Sequence, residues 1–534
     1  MMLGIGRRVA LSLACASAAL VSGITLPLHN AIGQRDASAQ ATADRPISRD
    51  GTSEHRRPNI VFILADDFSL DLVRFMPHVQ AMEKAGLTFR NYFVSDSLCC
   101  PSRASILSGR FPHDTGVLAN FGPHGGFPAF HDRGEERYTF ASALHRHGYA
   151  TAMMGKYLNG YMQPPGKVGD GTNADVPSTY VPPGWSEWDV AGWGYSEFDY
   201  TLNENHRLHA YGHRPSDYLT DVLAREGAAF ILRNARSHRP FLLELASFAP
   251  HSPYVPAPRD ARDFPRLAVP RRPNFDAIPT AAPRWLAAHR RLAAGQVAEV
   301  DSTFRRRAQS VQAIDRMIGR LQDAMAAGRV SDNTYLIFSS DNGLHTGEYR
   351  LMPGKLTAYD TDIHVPLVIT GPGVNPGTST GRVAENVDLA ETFAALGHAH
   401  LAGDGHSLVP LLRGRGAGRW RTAVLIEHLG TRRSVLDPDW QQPPSGSPTT
   451  YAAMRTEGFL YVEYADGERE FYDLRSDPYE LHNRAHSLTR SQSALLHREL
   501  SRMKRCHGAA RCWDAMHVAR TTVPSGDGRR WGRA

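Results

Sequence analysis

Four short apolar runs in this 534-residue chain are each followed by residues able to bind cations, anions or protons. Asn59-Ile-Val-Phe-Ile-Leu-Ala65 precedes Asp66 and Asp67, and the run from Tyr149 to Met154 precedes Lys156. Phe241-Leu-Leu-Glu-Leu-Ala246 precedes His251, and Thr334-Tyr-Leu-Ile-Phe-Ser339 precedes Asp341 and Asn342. Taken singly, each has an ordinary reading. Paired aspartates cap helices or line solvated turns, Asp-Asn-Gly is a common turn, and a lysine or histidine after a strand is often simply exposed. Together they form a constellation. Three carboxylates and an amide oxygen are the hard donors that Ca2+ or Mg2+ prefers, and no Cys/His cluster with zinc spacing accompanies them.

The segment Leu98-Cys-Cys-Pro-Ser-Arg-Ala-Ser-Ile-Leu-Ser-Gly-Arg110 adds a sulfur and a guanidinium. Pro101 suits a first helical turn, which would set Cys99 near a helix N-terminus, where free N–H groups and the helix dipole favour an anion. Arg103, one turn along, can face the same site. Cys99-Cys100 also reads as a buried pair of small hydrophobes, or as a strained vicinal disulfide.

Groups at the ends of several runs meet only if the runs are neighbouring strands pointing the same way. In an open α/β sheet, ligands bind beyond the carboxyl ends of the strands. A fifth run, Val365–Ile369, and a helix with Val311, Ile314, Ile318, Leu321 and Met325 on one face and Gly328 as its cap fit this scheme. The alternation predicts an α/β fold with a largely parallel sheet covered by helices on both faces. After about residue 415, Ala423–Ile426, Tyr451–Met454, Phe459–Tyr464 and Glu470–Asp473 predict a small antiparallel sheet, followed by a helix near Ser491–Lys504. The expected organisation is an export signal over 1–39, a polar linker over 40–57, the main α/β domain over 58–414, a smaller α+β subdomain over 415–515 and a loose tail over 516–534. The aromatic stretch Trp185 to Tyr200 reads as local core ahead of a sugar-stacking platform.

The signal reading rests on Arg7-Arg8, an apolar run from Val9 to Leu28 and the small residues Ala37-Ser38-Ala39. Gly23 and Pro27 interrupt the run, which favours cleavage over an anchor helix, so no stable membrane insertion is expected afterwards. A formal charge of +6 from 60 basic and 54 acidic residues, with no dense Lys/Arg block, argues against nucleic acid as a partner. Charged residues make up 21% of the chain, which excludes a disordered acidic chain, and a mean hydropathy of −0.37 excludes a multi-span membrane protein. Five cysteines are too few for a disulfide scaffold and odd in number.

Cys-x-Pro-Ser-Arg followed by Ile-Leu-Ser-Gly resembles the signature of type I sulfatases, in which the first cysteine is oxidised to formylglycine by a maturation enzyme. The resemblance runs from about Pro58 to the region of Leu481 and implies an alkaline-phosphatase-like domain with a smaller C-terminal sheet and helix. It implies that Cys99 becomes formylglycine, that Asp66, Asp67, Asp341 and Asn342 with residue 99 hold Ca2+, and that Arg103, Lys156, His251 and Lys355 work on substrate. His345 is a further candidate, with a supporting hydrogen bond as its competing reading. Many sulfatases carry a histidine two residues after the first lysine, where this chain has Leu158. Gly155-Lys-Tyr-Leu-Asn159, Pro182-Pro-Gly-Trp-Ser-Glu-Trp188, Asp199–Asn205 and Asp341-Asn-Gly-Leu-His345 are similar to N-acetylglucosamine-6-sulfatases and heparan endosulfatases. The endosulfatases' long basic insert is missing, so the first group fits better.

The function so implied is removal of sulfate from a sulfated sugar, glycosaminoglycan-like, by an exported enzyme. One hydroxyl of the hydrated aldehyde attacks sulfur, and the other, deprotonated, expels sulfate and restores the aldehyde. The divalent cation binds a sulfate oxygen, the lysines and Arg103 offset charge, and His251 protonates the leaving alcohol, with Lys355 as its competitor. Two alternatives stand beside it: a formylglycine-dependent phosphodiester or phosphonate monoester hydrolase, and a non-catalytic binder of sulfated glycans. In an exported chain, Cys506 and Cys512 are the candidate disulfide, with Cys15 removed along with the signal and Cys100 left as a buried neighbour.

Overall fold

The structure, a computed structural model, describes residues 57–162, 176–415, 418–430, 437, 439, 441 and 443–518. The export signal, all but one residue of the linker, Cys15 and residues 519–534 of the tail lie outside the described residues.

A ten-stranded sheet dominates. Its order is Thr378–Thr380, Leu87–Phe89, Leu367–Thr370, Thr334–Ser340, Asn59–Ala65, Phe241–Ala246, Ala150–Lys156, Glu187–Ala191, Thr201–Glu204 and Arg207–Ala210. The five central strands, from Thr334–Ser340 to Glu187–Ala191, are all parallel. They read as continuous apolar runs because both faces are covered. Along Asn59–Ala65, Ile60, Phe62 and Leu64 enter one core while Val61, Ile63 and Ala65 enter the other. The first core takes residues of helices Cys99–Ser108, Phe140–Arg146 and Asp388–Leu396, and the second those of Leu219–Ser237 and Ala294–Ala327.

Two expectations are amended. The helix anchored by Val311 to Met325 spans Ala294–Ala327, and Gly328 caps it at φ −75°, so that the left-handed turn falls on Arg329 at φ 54°. The strand expected to end at Met154 continues to Lys156 through Gly155, whose φ is +106°. A Cβ at Gly155 would sit 2.0 Å from the Ala246 carbonyl oxygen on the neighbouring strand, so only glycine lets the strands stay paired as far as the lysine.

The smaller sheet is an antiparallel meander of Ala423–His428, Tyr451–Thr456, Phe459–Tyr464 and Arg469–Asp473. Leu425, Met454, Tyr461 and Phe471 on one face pack with Leu496, Leu500 and Met503 of helix Arg490–Met503. That helix opens with a capping box, in which Thr489 Oγ1 accepts from the Gln492 N–H while the Thr489 N–H donates to Gln492 Oε1. The other face, with Val424, Ile426, Leu460 and Val462, joins the core shared with the large sheet. Cys506 and Cys512 form a disulfide.

Candidate active site

Sheet register brings the four polar strand endings together. Thr334–Ser340, Asn59–Ala65, Phe241–Ala246 and Ala150–Lys156 are adjacent, with Ala65 opposite Ser340, Leu64 opposite Ala246 and Ala246 opposite Gly155. Asp66, Asp67, Lys156, His251, Asp341 and Asn342 therefore leave the sheet at one edge, and all are buried. Asp67 turns back at φ 59°, a conformation that a non-glycine residue rarely adopts without a constraint. The Asp67 N–H donates to Asp341 Oδ1 at 3.1 Å, and Arg307 donates to the Asp67 carbonyl. Arg307 is a fully buried charge on the apolar face of the long helix.

Helix Cys99–Ser108 supplies the rest. Cys99 is its first residue, and Gly109, left-handed at φ 72°, ends it by donating its N–H to the Ser105 carbonyl. The Cys99 thiol donates to Asp66 Oδ1 at 3.3 Å and accepts from Lys355 Nζ at 2.9 Å. Burial, with Asp439 and Asp66 nearby, pushes this thiol well above its ordinary pKa. An unmodified Cys99 is thus held as the neutral thiol, which is a poor nucleophile. Cys100, also free, accepts the Asn159 N–H at 3.0 Å and is pushed up to about 12 by burial. The vicinal disulfide reading is thereby excluded.

Each carboxylate faces a cation. Lys156 Nζ lies 2.5 Å from Asp66 Oδ2, Lys355 Nζ 2.5 Å from Asp67 Oδ1, and Arg103 Nε 2.7 Å from Asp341 Oδ2. Burial would raise the Asp341 carboxyl, but Arg103 and then the two lysines hold it below its usual range. Burial would lower both lysines, but Asp66 for Lys156, and Asp439 and Asp67 for Lys355, keep them well above 10.5 and charged. Lys355 arrives from a loop rather than a strand and is followed by Leu356 at φ 83°.

Two buried polar atoms point to what the cluster can hold. Asn342 Nδ2 donates to Asp67 Oδ1 at 2.6 Å, but Asn342 Oδ1 has no hydrogen-bond partner. An orphaned amide oxygen beside carboxylates is what a hard divalent cation would satisfy. Ligand atoms of Asp66, Asp67, Cys99 and His251 lie within 4.8 Å of one another. Arg103 Nη2, 3.6 Å from Asp66 Oδ1, is likewise buried without a hydrogen-bond acceptor. It is a spare donor for an anion.

Two side chains that sequence reasoning did not name, Asp439 and Tyr195, also enter. Asp439 accepts from His251 Nε2 at 2.5 Å, Lys355 Nζ at 2.8 Å and Asn120 Nδ2 at 2.6 Å. Burial would lower His251, but Asp439, then Asp67, raises it above its ordinary 6.5. Tyr195, from the aromatic stretch, packs its ring 5.0 Å from Lys156 Nζ and 4.6 Å from the His251 ring. Most of that stretch is core as expected, with Trp185, Trp188, Phe198 and Tyr200 buried.

His345 is not brought into the cluster. Its ring bonds Asp362 through Nδ1 and the Ser445 carbonyl through Nε2, each at 3.0 Å, and its backbone pairs with Gly354. It braces the loop that carries Lys355. Leu158 is buried in the apolar core, so its position faces packing and not chemistry.

A buried edge of an α/β sheet that gathers carboxylates, cations and a cysteine at a helix start is suited to hold a divalent cation and an anionic ester. The sequence profile of the Sulfatase family matches residues 58–399, and that of the N-sulphoglucosamine sulphohydrolase C-terminal region matches 347–505. The chain is 34% identical over 486 residues to an N-acetylglucosamine-6-sulfatase of Capra hircus, covering 85% of this chain and 84% of that one. It is 30% identical to an extracellular sulfatase SULF-1 homolog of Drosophila melanogaster over 73% of this chain and 35% of that one. Among solved structures, BT4656 in complex with D-glucosamine-2-N,6-O-disulfate superposes with a TM-score of 0.68 at 21% identity, over 84% of this chain and 98% of that one. The chain belongs to the sulfatase family and is a sulfuric ester hydrolase. No helix among the described residues is long and apolar enough to cross a membrane.

Proposed function

We propose that this enzyme is exported and removes the 6-sulfate of N-acetylglucosamine-like sugars after Cys99 is converted to formylglycine by a maturation enzyme. The observation that carries this reading is the setting of Cys99. It is the first residue of a wholly buried helix, in contact with Lys355 and Asp66, and its thiol is held neutral. Thiol chemistry is disfavoured in that setting, whereas oxidation to an aldehyde would put a hydrated carbonyl among groups suited to handle sulfate. The substrate assignment is supported by relatives of 33–34% identity that are N-acetylglucosamine-6-sulfatases, and export is supported by the extracellular sulfatases among the relatives.

Asp66, Asp67, Asp341 and Asn342 with residue 99 would hold a divalent cation, and an all-oxygen set of this kind suits Ca2+ ahead of Mg2+. Such an ion supplies Lewis-acid polarisation of a sulfate oxygen. The formylglycine hydrate supplies two hydroxyls on one carbon, one for attack on sulfur and one for release of sulfate. Arg103, with its spare Nη2, and Lys156, kept charged by Asp66, bind the non-bridging oxygens. His251, kept protonated by Asp439, which accepts its Nε2–H here, would turn that proton from Asp439 to the departing sugar oxygen. Lys355 bridges Asp67 and residue 99 and holds them in register.

Mass spectrometry of the peptide spanning Cys99, from cells that contain the maturation enzyme, should show the aldehyde, and a thiol alone would refute the mechanism. Wild type and Cys99→Ala are then assayed on N-acetylglucosamine 6-sulfate, an aryl sulfate and a bis-aryl phosphate. The 6-sulfate should be cleaved by wild type alone, and faster turnover of the phosphate diester would reject the substrate assignment.

A further inference from the structure

Away from the catalytic cluster, three side chains converge where the short helix Pro112–Thr115 meets the loop closed by the Cys506–Cys512 disulfide. His113, Asp114 and His507 each offer a ligand atom, and these atoms lie within 4.8 Å of one another. His113 Nδ1 sits 2.7 Å from Glu427 Oε2, and its Nε2 sits 2.8 Å from the Cys506 carbonyl oxygen. A neutral ring that donates its Nδ1–H to Glu427 turns a lone pair at Nε2 toward the lone pair of that carbonyl. Two acceptors 2.8 Å apart repel unless a proton sits on Nε2 or a metal ion that binds both from one side takes its place. Beside them, His507 Nδ1 and Asp114 Oδ1 are in direct contact.

The surroundings hold these groups in place. Asp404 accepts the Phe111 N–H at 2.9 Å through one oxygen and the Gly508 N–H at 2.6 Å through the other, which clamps the backbones beside His113 and His507 together. Glu427 on His113 Nδ1 is the carboxylate–histidine pairing that fixes the tautomer of metal-ligating imidazoles. Two imidazoles and one carboxylate form a mixed N/O set that suits Zn2+ better than Ca2+.

We propose that His113, Asp114 and His507, with the Cys506 carbonyl as a neighbouring donor, form a zinc site that fastens the C-terminal disulfide loop to the catalytic domain. It is distinct from the catalytic cluster and independent of the substrate assignment. His507 is 61% exposed at its side chain, so His507→Ala removes a ligand without opening the core.

The test uses the full-length enzyme kept in excess Ca2+, loaded with ZnCl2, freed of unbound metal and analysed for zinc by mass spectrometry. Wild type should hold about one zinc more per chain than His507→Ala and than Asp114→Asn, with at least ~10-fold tighter affinity. Co2+ in place of Zn2+ should give wild type visible d–d absorption that both variants lack, and aryl sulfate turnover should be the same in all three. Equal zinc content in wild type and both variants, or no zinc retained by wild type, would show that the cation at His113 Nε2 is only a proton and overturn the proposal.

Discussion

Asp439→Asn isolates the group that sequence reasoning could not see. The substitution keeps the shape of the side chain and removes its charge. Asp439 is 4% exposed and lies 2.5 Å from His251 Nε2 and 2.8 Å from Lys355 Nζ. At an effective dielectric of about 20, a unit charge pair at such a distance interacts by about 6 kcal/mol. The net loss is smaller, because Asp67 still faces both partners, at 3.6 Å from His251 and 2.5 Å from Lys355. What remains is the proton on His251. An alkoxide leaving group needs that proton and a nitrophenolate does not, and general acid catalysis contributes ~10²–10⁴-fold. The expected loss in kcat/KM is therefore roughly 10²–10³-fold on a sugar 6-sulfate, equivalent to about 3–4 kcal/mol. On p-nitrophenyl sulfate it should be no more than about tenfold. Because Asp439 raises the His251 pKa, the basic limb of the sugar-sulfate pH profile should move to lower pH in the variant. Equal losses on both substrates would refute the assignment of His251 as leaving-group acid with its Nε2 proton held by Asp439.

Three further outcomes follow from single residues. Gly155→Ala, with its Cβ 2.0 Å from the Ala246 oxygen and φ at +106°, should separate two central strands and abolish activity together with soluble expression; a folded, active variant would show that the strand tolerates a side chain there. Leu158→His should lower stability by about 1–3 kcal/mol in urea unfolding without raising turnover, since it places a polar ring in a buried apolar position. Asp189, 6% exposed, is pushed up to about 7 by burial and then by Glu187 and Glu204. The native state then binds more protons than the unfolded chain between about pH 4 and pH 7, so this group makes stability fall as pH rises through that window, by at most about 4 kcal/mol. Asp189→Asn should accordingly gain on wild type more at pH 7.5 than at pH 4.5, and a difference that does not change with pH would contradict the shift.

The candidate site was legible wherever the chemistry sits at a fixed place in a regular element. Asp66-Asp67, Lys156, His251 and Asp341-Asn342 follow apolar runs, and once those runs are parallel neighbours their endings must share an edge. Cys99 could be placed because a proline in a first turn marks a helix start, and the helix begins at Cys99. Lys355 has no such anchor. It follows no strand, and only the family resemblance singled it out. Asp439 sits in Leu436-Asp-Pro-Asp-Trp440, which reads as a turn in a stretch without periodicity. Its contacts with His251 and Asn120 span 188 and 319 residues of chain, distances that local pattern does not encode.

Arg307 is the instructive middle case, since its signal was present. Val300, Phe304, Val311, Ile314 and Ile318 form the buried stripe of the long helix, and Arg307 falls in that stripe at three residues from Phe304 and four from Val311. A charge on an apolar face must find partners, because a buried guanidinium left unpaired is strongly unfavourable. Its partners are the Asp67 carbonyl and Ser69 Oγ, and burial lowers its pKa from 12.5. The buried cation is thus spent on the backbone of Asp67, held at positive φ. The stripe that packs the helix against the sheet also fixes the geometry of the site at the sheet's edge.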